Sequence, residues 1–346
     1  LFNCRSLILT QKVDLLYQIK ASLEESLGVP IGILGDGEWE YQPITIAMVQ
    51  SLAAIMGDAK STFAAERKKM SREDCDDDSK TLLKIKGHEK EVCDLLLNKP
   101  GLVCADELHR FASKWGYKII QHMTNARYRF GFSATAYGFR PDKKDYLNKA
   151  AFGHPIVTVT ASDLVSQGIL VPIHILKYTY SHSGCRYARK GGYNGFYTDA
   201  VVHNDLRNQA IVEAAATMHA QGNNVLIAVN RVDHGKILEG ALKTIAGETS
   251  AKFLHGLDES EIRTTCVGDF KKGKLPVLIS TLMGEGVDMP NLSHIINCRG
   301  EESAISVIQL LGRAMRTDPN NPNKRRAVCV DIADRYERWL GAHAEA

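Results

Sequence analysis

Residues 102–109 read Leu-Val-Cys-Ala-Asp-Glu-Leu-His, an apolar run that ends in two adjacent carboxylates. A short apolar run of this kind is typical of a strand buried on both faces of a parallel sheet. Ligands of open α/β sheets bind at the carboxyl ends of such strands, which is where Asp106 and Glu107 stand. The stretch therefore predicts an α/β fold with a polar site at a strand end, although a simple strand cap stays open as an alternative.

The alternation of strand and helix continues on both sides of this stretch and predicts parallel sheets covered by helices. Predicted strands cover residues 6–10, 31–34, 44–49, 102–106, 130–133, 225–229, 252–255, 277–281, 294–297 and 327–332. Predicted helices include residues 13–27, 205–220, 234–245, 259–271 and 303–315.

Composition limits the class of protein. The 346 residues are too many for one typical core and predict two domains. The formal net charge is only +3, so it does not indicate a nucleic-acid binder, although a locally basic groove stays open. The eight cysteines include no C-x-x-C pair, which favours free thiols over disulfides or zinc ligands. No apolar run reaches the ~20 residues that span a bilayer.

Two segments interrupt the pattern. Residues 59–86 are rich in charge and predict a solvated insertion, because the consecutive carboxylates 76–78 cannot easily converge on one metal ion. Residues 178–197 interleave basic and aromatic side chains between the two halves. A linker and a contact with a nucleic-acid backbone are both open there.

Three more segments carry polar residues at the ends of predicted elements. Ser133-Ala134-Thr135 follows a predicted strand, and its hydroxyls can link the carboxylates to a second site by hydrogen bonds. Residues 277–290 pass from a strand into a loop that holds Gly284, Gly286 and Asp288, and glycines there permit close approach of the backbone to a phosphate. An ordinary loop exit and an ordinary turn are the respective alternatives.

The third segment is helical. Gln309, Arg313 and Arg316 are spaced at i, i+4 and i+7, so they share one helix face. Two guanidinium groups on one face suit a triphosphate, because they stabilise charge on its terminal phosphate. A solvated basic face is the alternative.

In order and spacing, these segments resemble the motifs of superfamily-two DExH-box helicases and translocases, especially XPB-like, phage UvsW-like and type III restriction-related members. Residues 106–109 resemble motif II, and residues 133–135 resemble motif III. The remaining resemblances are residues 7–18 to motif Ia, 45–52 to motif Ib, 225–230 to motif IV, 280–288 to motif V and 309–316 to motif VI. Residues 161–172 resemble the end of the first domain in the XPB-like and UvsW-like members.

The resemblance implies an α/β chain with two RecA-like domains in tandem, each a mostly parallel sheet covered by helices on both faces. The expected domains are residues 1–172 and 201–346, with a linker over 173–200. The implied cofactors are ATP and Mg²⁺, and the implied partner is nucleic acid, with double-stranded or branched DNA expected and no membrane. The expected location is the cytoplasm, near a nucleoid or in a phage-infected cell, or the nucleus of a eukaryote.

The resemblance also implies roles for individual residues. Asp106 holds Mg²⁺, Glu107 positions the attacking water, and His109 couples hydrolysis to the adjoining domain, with Ser133 and Thr135 in the same coupling. In the second half the implied nucleotide-binding residues are Gly286, Asp288, Gln309, Arg313 and Arg316, the two arginines acting as arginine fingers. The implied nucleic-acid contacts, made through phosphates, are Lys12, Gln50, Ser51, Ser280 and Thr281.

The sequence departs from the family at motif I, the phosphate-binding G-x-x-x-x-G-K-[ST]. A near match at residues 268–275 ends in Leu275 and follows a predicted helix, which reverses the strand-loop-helix order of such a loop. We therefore expect motif I to lie before residue 1, and residues 1–346 alone to be inactive. The alternatives are a motor subunit of a restriction or remodelling assembly, and a non-hydrolysing nucleic-acid-binding protein.

Overall fold

The computed structural model describes residues 4–56, 88–135, 137, 145–181, 192–256, 258–282, 289–300 and 304–335. The chain divides into two compact units, Leu1–Val157 and Thr158–Ala346. Each unit contains a six-stranded, mostly parallel sheet covered by helices, which confirms the predicted fold class. The predicted insertion at 59–86, the centre of segment 178–197, and the loop residues Gly286 and Asp288 lie outside the described residues.

The sheet of the first unit has the order β3-β2-β4-β1-β5-β6. Its strands are β1 (Ser6–Thr10), β2 (Gly32–Gly35), β3 (Glu38–Glu40), β4 (Ile44–Met48), β5 (Leu102–Ala105) and β6 (Tyr128–Gly131). All neighbours are parallel except β2 and β3. Asp36 and Gly37 connect that pair, and both have positive φ, as a two-residue hairpin turn requires.

Helices cover the first sheet. They are α1 (Val13–Leu27), α2 (Val49–Ile55), α3 (Glu89–Cys93), α4 (Lys114–His122) and α5 (Asp145–Phe152). Helix α1 ends at Gly28, whose left-handed φ of 64° suits a glycine cap. Helix α4 begins after Ser113, whose hydroxyl accepts from the Gly116 amide. The central strand β1 is fully buried at Leu7 and Leu9, so the carboxyl end of β1 and of its neighbour β5 is held rigidly.

The sheet of the second unit has the order β7-β12-β11-β8-β10-β9, and all pairs are parallel. Its strands are β7 (Ile173–Ser181), β8 (Val225–Ala228), β9 (Ala251–Leu254), β10 (Val277–Ser280), β11 (His294–Asn297) and β12 (Ala327–Arg335). Its helices are α6 (Ala161–Ser166), α7 (Gly192–Tyr197), α8 (Asp205–Ala220), α9 (Val232–Ala246), α10 (Ser260–Lys271) and α11 (Ala304–Ala314). Two apolar clusters fill the space on the two sides of this sheet.

The predicted boundaries between the units differ from the structure. The expected linker over 173–200 contains β7, which pairs with β12 along its whole length and so belongs to the second sheet. Helix α6 also lies in the second unit, whereas the expected first domain extended to residue 172. Residues 268–275 run from α10 to β10, in the order that argued against a phosphate-binding loop. In the described part of the chain, no helix is long and apolar enough to cross a membrane.

Candidate functional site

The two adjacent carboxylates follow β5, which pairs with β1 in the first sheet. The Asp106 amide donates to the Leu9 carbonyl at 3.0 Å, which extends the pairing of β5 with β1 by one residue. Glu107 has a φ of 51°, in the left-handed region that residues other than glycine rarely adopt. The Leu108 amide closes this turn by donating to the Phe132 carbonyl at 2.9 Å. The strained turn therefore places Asp106 and Glu107 at the carboxyl end of the sheet.

His109 joins the turn to the loop after β6. It is buried, and its Nδ1 lies 3.0 Å from Ser133 Oγ and 3.2 Å from Glu107 Oε2. The Thr135 amide in turn donates to Ser133 Oγ at 3.1 Å. The structure thus brings together Glu107, His109 and Ser133, which the sequence placed in two separate motifs, whereas the predicted Thr135 hydroxyl is buried with no hydrogen-bond partner among the described residues. The His109 imidazole therefore connects the Glu107 carboxylate to the loop that contains Ser133.

Electrostatics favour a cation at the carboxylates. Burial raises the pKa of Asp106, and the neighbouring Glu107 carboxylate raises the same pKa further. A divalent cation offsets both effects, so the residues present fit the predicted Mg²⁺. Among the described residues, no group of three or more His, Cys, Asp or Glu side chains is arranged to hold a metal ion. The carboxylates therefore fit an ion whose remaining ligands come from water or a bound phosphate.

Asn148 supports the carboxylate turn and was not predicted from the sequence. Its Nδ2 donates to the Leu108 carbonyl at 2.8 Å, and its side chain is fully buried on α5. Gly131 supports the same turn by its size, since a Cβ there would lie 2.6 Å from Leu108 Cδ2. Asn148 is forty positions from its partner, and no local pattern marks such a contact.

The predicted nucleic-acid contacts of the first unit lie around the start of α1. Lys12 is the residue before this helix, and it is half-buried. Gln50 Nε2 donates to the Gln11 carbonyl at 2.9 Å, so Gln50 supports the loop that carries Lys12. Ser51 is buried inside the unit, because α2 packs that face against the core. The structure therefore brings Lys12 and Gln50 together but places the Ser51 hydroxyl away from solvent.

The predicted residues of the second unit lie in two places. Ser280 ends β10 and is fully buried, with its Oγ accepting from the Leu282 amide at 2.9 Å, and Thr281 beside it is half-buried. Gln309 and Arg313 lie on α11, half-buried and buried respectively. Arg316 lies two residues past the end of α11, is exposed, and forms a bridge with Leu170. The helix ends one residue before the predicted 315, and its face does not include Arg316.

A buried ion pair anchors the end of β11 and was not predicted. Arg207 is fully buried on α8, and its Nε and Nη2 donate to the two carboxylate oxygens of Asp334 at 2.8 and 3.0 Å. Arg207 Nη2 also donates to the Cys298 carbonyl at 3.2 Å. The next carbonyl, of Arg299, accepts from Tyr197 Oη at 2.7 Å. These contacts fix the backbone just beyond β11.

Comparison with known families identifies both units. The first matches the family described as "Type III restriction enzyme, res subunit" over residues 2–137. The second matches the family described as "Helicase conserved C-terminal domain" over residues 206–318. The two matches support a relationship of this chain to the superfamily-two helicases.

Individual relatives are distant. The ATP-dependent DNA helicase UvsW of Enterobacteria phage T4 is 23% identical over 244 residues, which cover 68% of this chain and 46% of the relative. The structure of the helicase MrfA bound to DNA matches 99% of this chain and 44% of that chain, with a TM-score of 0.64 and 16% identity. The structure of Saccharomyces cerevisiae Dbp5 bound to RNA matches 99% of this chain and 75% of that chain, with a TM-score of 0.58 and 17% identity. The chain spans less than half the length of the first curated relatives it matches.

Proposed function

We propose that this chain is the motor core of an ATP-dependent helicase or translocase that steps along one strand of DNA. The observation that carries the proposal is the carboxylate turn, in which Asp106 and Glu107 stand at the carboxyl end of β5 and His109 connects Glu107 to Ser133. The matches of both units to helicase-associated families support it.

The nucleotide side of the proposal rests on charge. Asp106 would hold Mg²⁺, which would supply Lewis-acid chemistry for hydrolysis of the terminal phosphate. Glu107 orients the attacking water, and Arg313 and Arg316 stabilise charge on the terminal phosphate. Gln309, Gly286 and Asp288 complete the proposed nucleotide contacts.

The nucleic-acid side of the proposal rests on position. Lys12 and Thr281 contact backbone phosphates, while Gln50 positions the loop of Lys12. Phosphate contacts are independent of base sequence and weaken with salt. Double-stranded or branched DNA is the proposed substrate, because UvsW is a DNA helicase and the MrfA structure was solved with DNA.

The test uses the full-length protein and measures ATP turnover with and without duplex DNA. Glu107→Gln keeps the size of the side chain but removes its charge, and we expect turnover to fall by roughly 10²–10⁴-fold. The matched control is Glu91→Gln, which makes the same change at an exposed position of the same unit and leaves turnover unchanged. Equal turnover in both variants and the parent would refute the assigned role of Glu107.

Two further measurements separate the parts of the proposal. Residues 1–346 expressed alone contain no G-x-x-x-x-G-K-[ST] sequence, and we expect them to show no ATP turnover. Binding of labelled duplex DNA should weaken steeply as salt rises, with a shallower slope in Lys12→Gln. An unchanged slope would remove Lys12 from the proposed track.

The match of residues 2–137 to a restriction-enzyme subunit favours a second candidate, a motor subunit of a larger restriction assembly. The two candidates predict different products. A subunit of a restriction enzyme produces cleaved DNA in the presence of its partner chains, whereas a free-standing helicase produces separated strands without them. Co-purification of the full-length protein from its own host, followed by both assays, distinguishes them.

A further inference from the structure

A polar cavity of about 480 Å³ lies in the second unit at the edge of the sheet where the strands begin. Asn224 precedes β8, His294 begins β11, and Arg326 precedes β12, and all three line the cavity. Ser280 ends β10 at the opposite edge, because these strands are parallel. The cavity is therefore separate from the strand-end residues of the second unit that were assigned to the nucleic-acid track.

The wall of the cavity is basic. Lys324, Arg325 and Arg326 line it in succession, and Asp318 is the acidic residue of the lining, which leaves a formal excess of two positive charges (three minus one). Both arginines are exposed, and no carboxylate in the described part of the chain forms an ion pair with either. The rest of the lining is rich in amides, contributed by Gln221, Asn223, Asn224, Asn291, Asn321 and Asn323.

Lys324 is the buried member of this basic set. Only 9% of the residue is exposed, and its ammonium donates to the carbonyl oxygens of Pro290 and Arg316 at 2.7 and 2.6 Å. No described carboxylate lies within ion-pair distance of it, and burial lowers its pKa to about 8 despite the nearby Asp318. A buried cation whose partners are neutral carbonyls is costly, and an anion in the adjoining space removes part of that cost.

His294 adds a neutral hydrogen-bonding group. Burial lowers its pKa, and Arg326 lowers it further, so the imidazole is neutral at pH 7. Its Nδ1 lies 3.0 Å from Ser293 Oγ, and the neutral ring offers hydrogen bonding in the cavity without adding charge. Together with the amides, it provides groups that recognise hydroxyls and phosphate oxygens.

We propose that this cavity binds a small phosphorylated molecule, with a phosphate held by Lys324, Arg325 and Arg326. Guanidinium groups bind phosphate through paired, charge-assisted hydrogen bonds. The volume is within the range of small-molecule sites and exceeds what a phosphate ion alone would fill. The amide-lined remainder accommodates the polar body of the ligand. The binding does not depend on the proposed motor activity.

Occupation of the cavity has a consequence for the neighbouring backbone. Lys324 connects the cavity to the carbonyl of Arg316, which was predicted as an arginine finger, and to that of Pro290. A bound anion keeps the ammonium charged and so strengthens its hydrogen bonds to both carbonyls. The ligand therefore fastens the chain beyond α11 to the segment before β11.

The test adds inorganic pyrophosphate to the full-length protein and follows hydrogen–deuterium exchange. We expect slower exchange in peptides that cover 289–297 and 318–328, with a half-saturation concentration raised about tenfold or more in the double variant Arg325→Ser, Arg326→Ser. Both side chains are exposed, so the variant should fold normally. The matched control is Lys271→Ser, Lys272→Ser, which removes the same charge from exposed positions of the same unit outside the cavity lining.

Local protection separates this cavity from any site that binds ATP, because it is read from the cavity peptides alone. Protection that weakens in the arginine variant but not in the lysine control supports the proposal. Equal weakening in both variants, or no protection of the cavity peptides in the parent, overturns it. A short DNA duplex that protects the same peptides at lower concentration than pyrophosphate would show a nucleic-acid site instead, and would also overturn it.

Discussion

Acid is expected to destabilise the second unit through one buried histidine. His234 is fully buried on α9, and its Nε2 lies 2.9 Å from Asn208 Oδ1. The Asn208 amide nitrogen donates to the Val202 carbonyl at 2.8 Å, so the amide oxygen accepts from the imidazole. His234 Nδ1 is then the unprotonated nitrogen, and it is buried with no hydrogen-bond partner among the described residues. Its protonation places a second cation in the core near Arg207.

The expected loss of stability can be worked out from the pKa. Burial, and then the charge of Arg207, lower the pKa of His234 from 6.5 to about 3. The stability due to the neutral ring is complete above the unfolded pKa and is lost as the pH falls from 6.5 towards 3. At pH 5 the unfolded histidine has taken up its proton and the folded one has not. The difference of about 1.5 units between the unfolded pKa and pH 5 then lowers the free energy of unfolding by about 2 kcal/mol.

The assay compares urea unfolding of the second unit at pH 7 and pH 5 by pulse proteolysis. We expect the urea midpoint of the parent to fall by about 1 M through His234, given a slope of roughly 1–3 kcal/mol per molar urea. His234→Gln keeps a donor for Asn208 but does not titrate, so it should lose about 2 kcal/mol less between the two pH values. His219→Gln, on the neighbouring α8, is the matched control and should behave as the parent does. Equal losses in the parent and in His234→Gln would refute the assigned titration.

Three further predictions concern the two units. Arg207→Met leaves the Asp334 carboxylate buried without its cation and should cost roughly 3–5 kcal/mol in urea unfolding, and adding Asp334→Leu should restore most of that loss. No recovery would show that the buried carboxylate is not the cause of the loss. Gly131→Ala forces Leu108 to move, so it should lower the free energy of unfolding by about 1–3 kcal/mol and also lower ATP turnover of the full-length protein. If stability and turnover were both unchanged, the close contact would be contradicted. Asp106→Asn removes a carboxylate whose charge is disfavoured by burial, so the melting temperature measured without magnesium should stay level or rise, while ATP turnover should be lost. A clear fall in melting temperature would show that Asp106 has a structural role.

Periodic apolar patterns allowed the buried elements to be predicted closely. The predicted bounds of β1, β11, α1 and α8 agree with the structure at both ends. Buried parallel strands read as continuous apolar runs, and α1 is bounded by Gly28, so both signals are local. β3 was not predicted, because its three residues, Glu-Trp-Glu, are too few to show a period.

β7 was missed for a different physical reason. It is the edge strand of the second sheet, and its residues from His174 to Thr179 are exposed. Its end overlaps the segment 178–197, whose basic and aromatic side chains indicated a linker, although β7 itself exposes the apolar Ile175 and Leu176. Its place in the sheet comes from pairing with β12, which begins more than a hundred residues later and leaves no trace in the local pattern.

The predicted site shows the same division between local and distant signals. The contact of His109 with Ser133 could be anticipated, because both follow neighbouring strands of one sheet and their carboxyl ends meet at one edge. The contacts of Asn148 and Lys324 could not be anticipated, because each side chain donates to a backbone carbonyl of another segment, and a carbonyl has no sequence signature.

The burial of Ser280 changes how the strand-end hydroxyls in the second unit should be understood. A side chain that lines a nucleic-acid track must reach solvent, and Ser280 does not, because β10 is buried along its length. Its hydroxyl instead accepts from the Leu282 amide, which bends the chain immediately after the strand. Thr281 lies within that bend and is partly exposed. The Ser280 hydroxyl therefore fixes the backbone at residues 281–282, and Thr281 is the hydroxyl that stays a predicted phosphate contact.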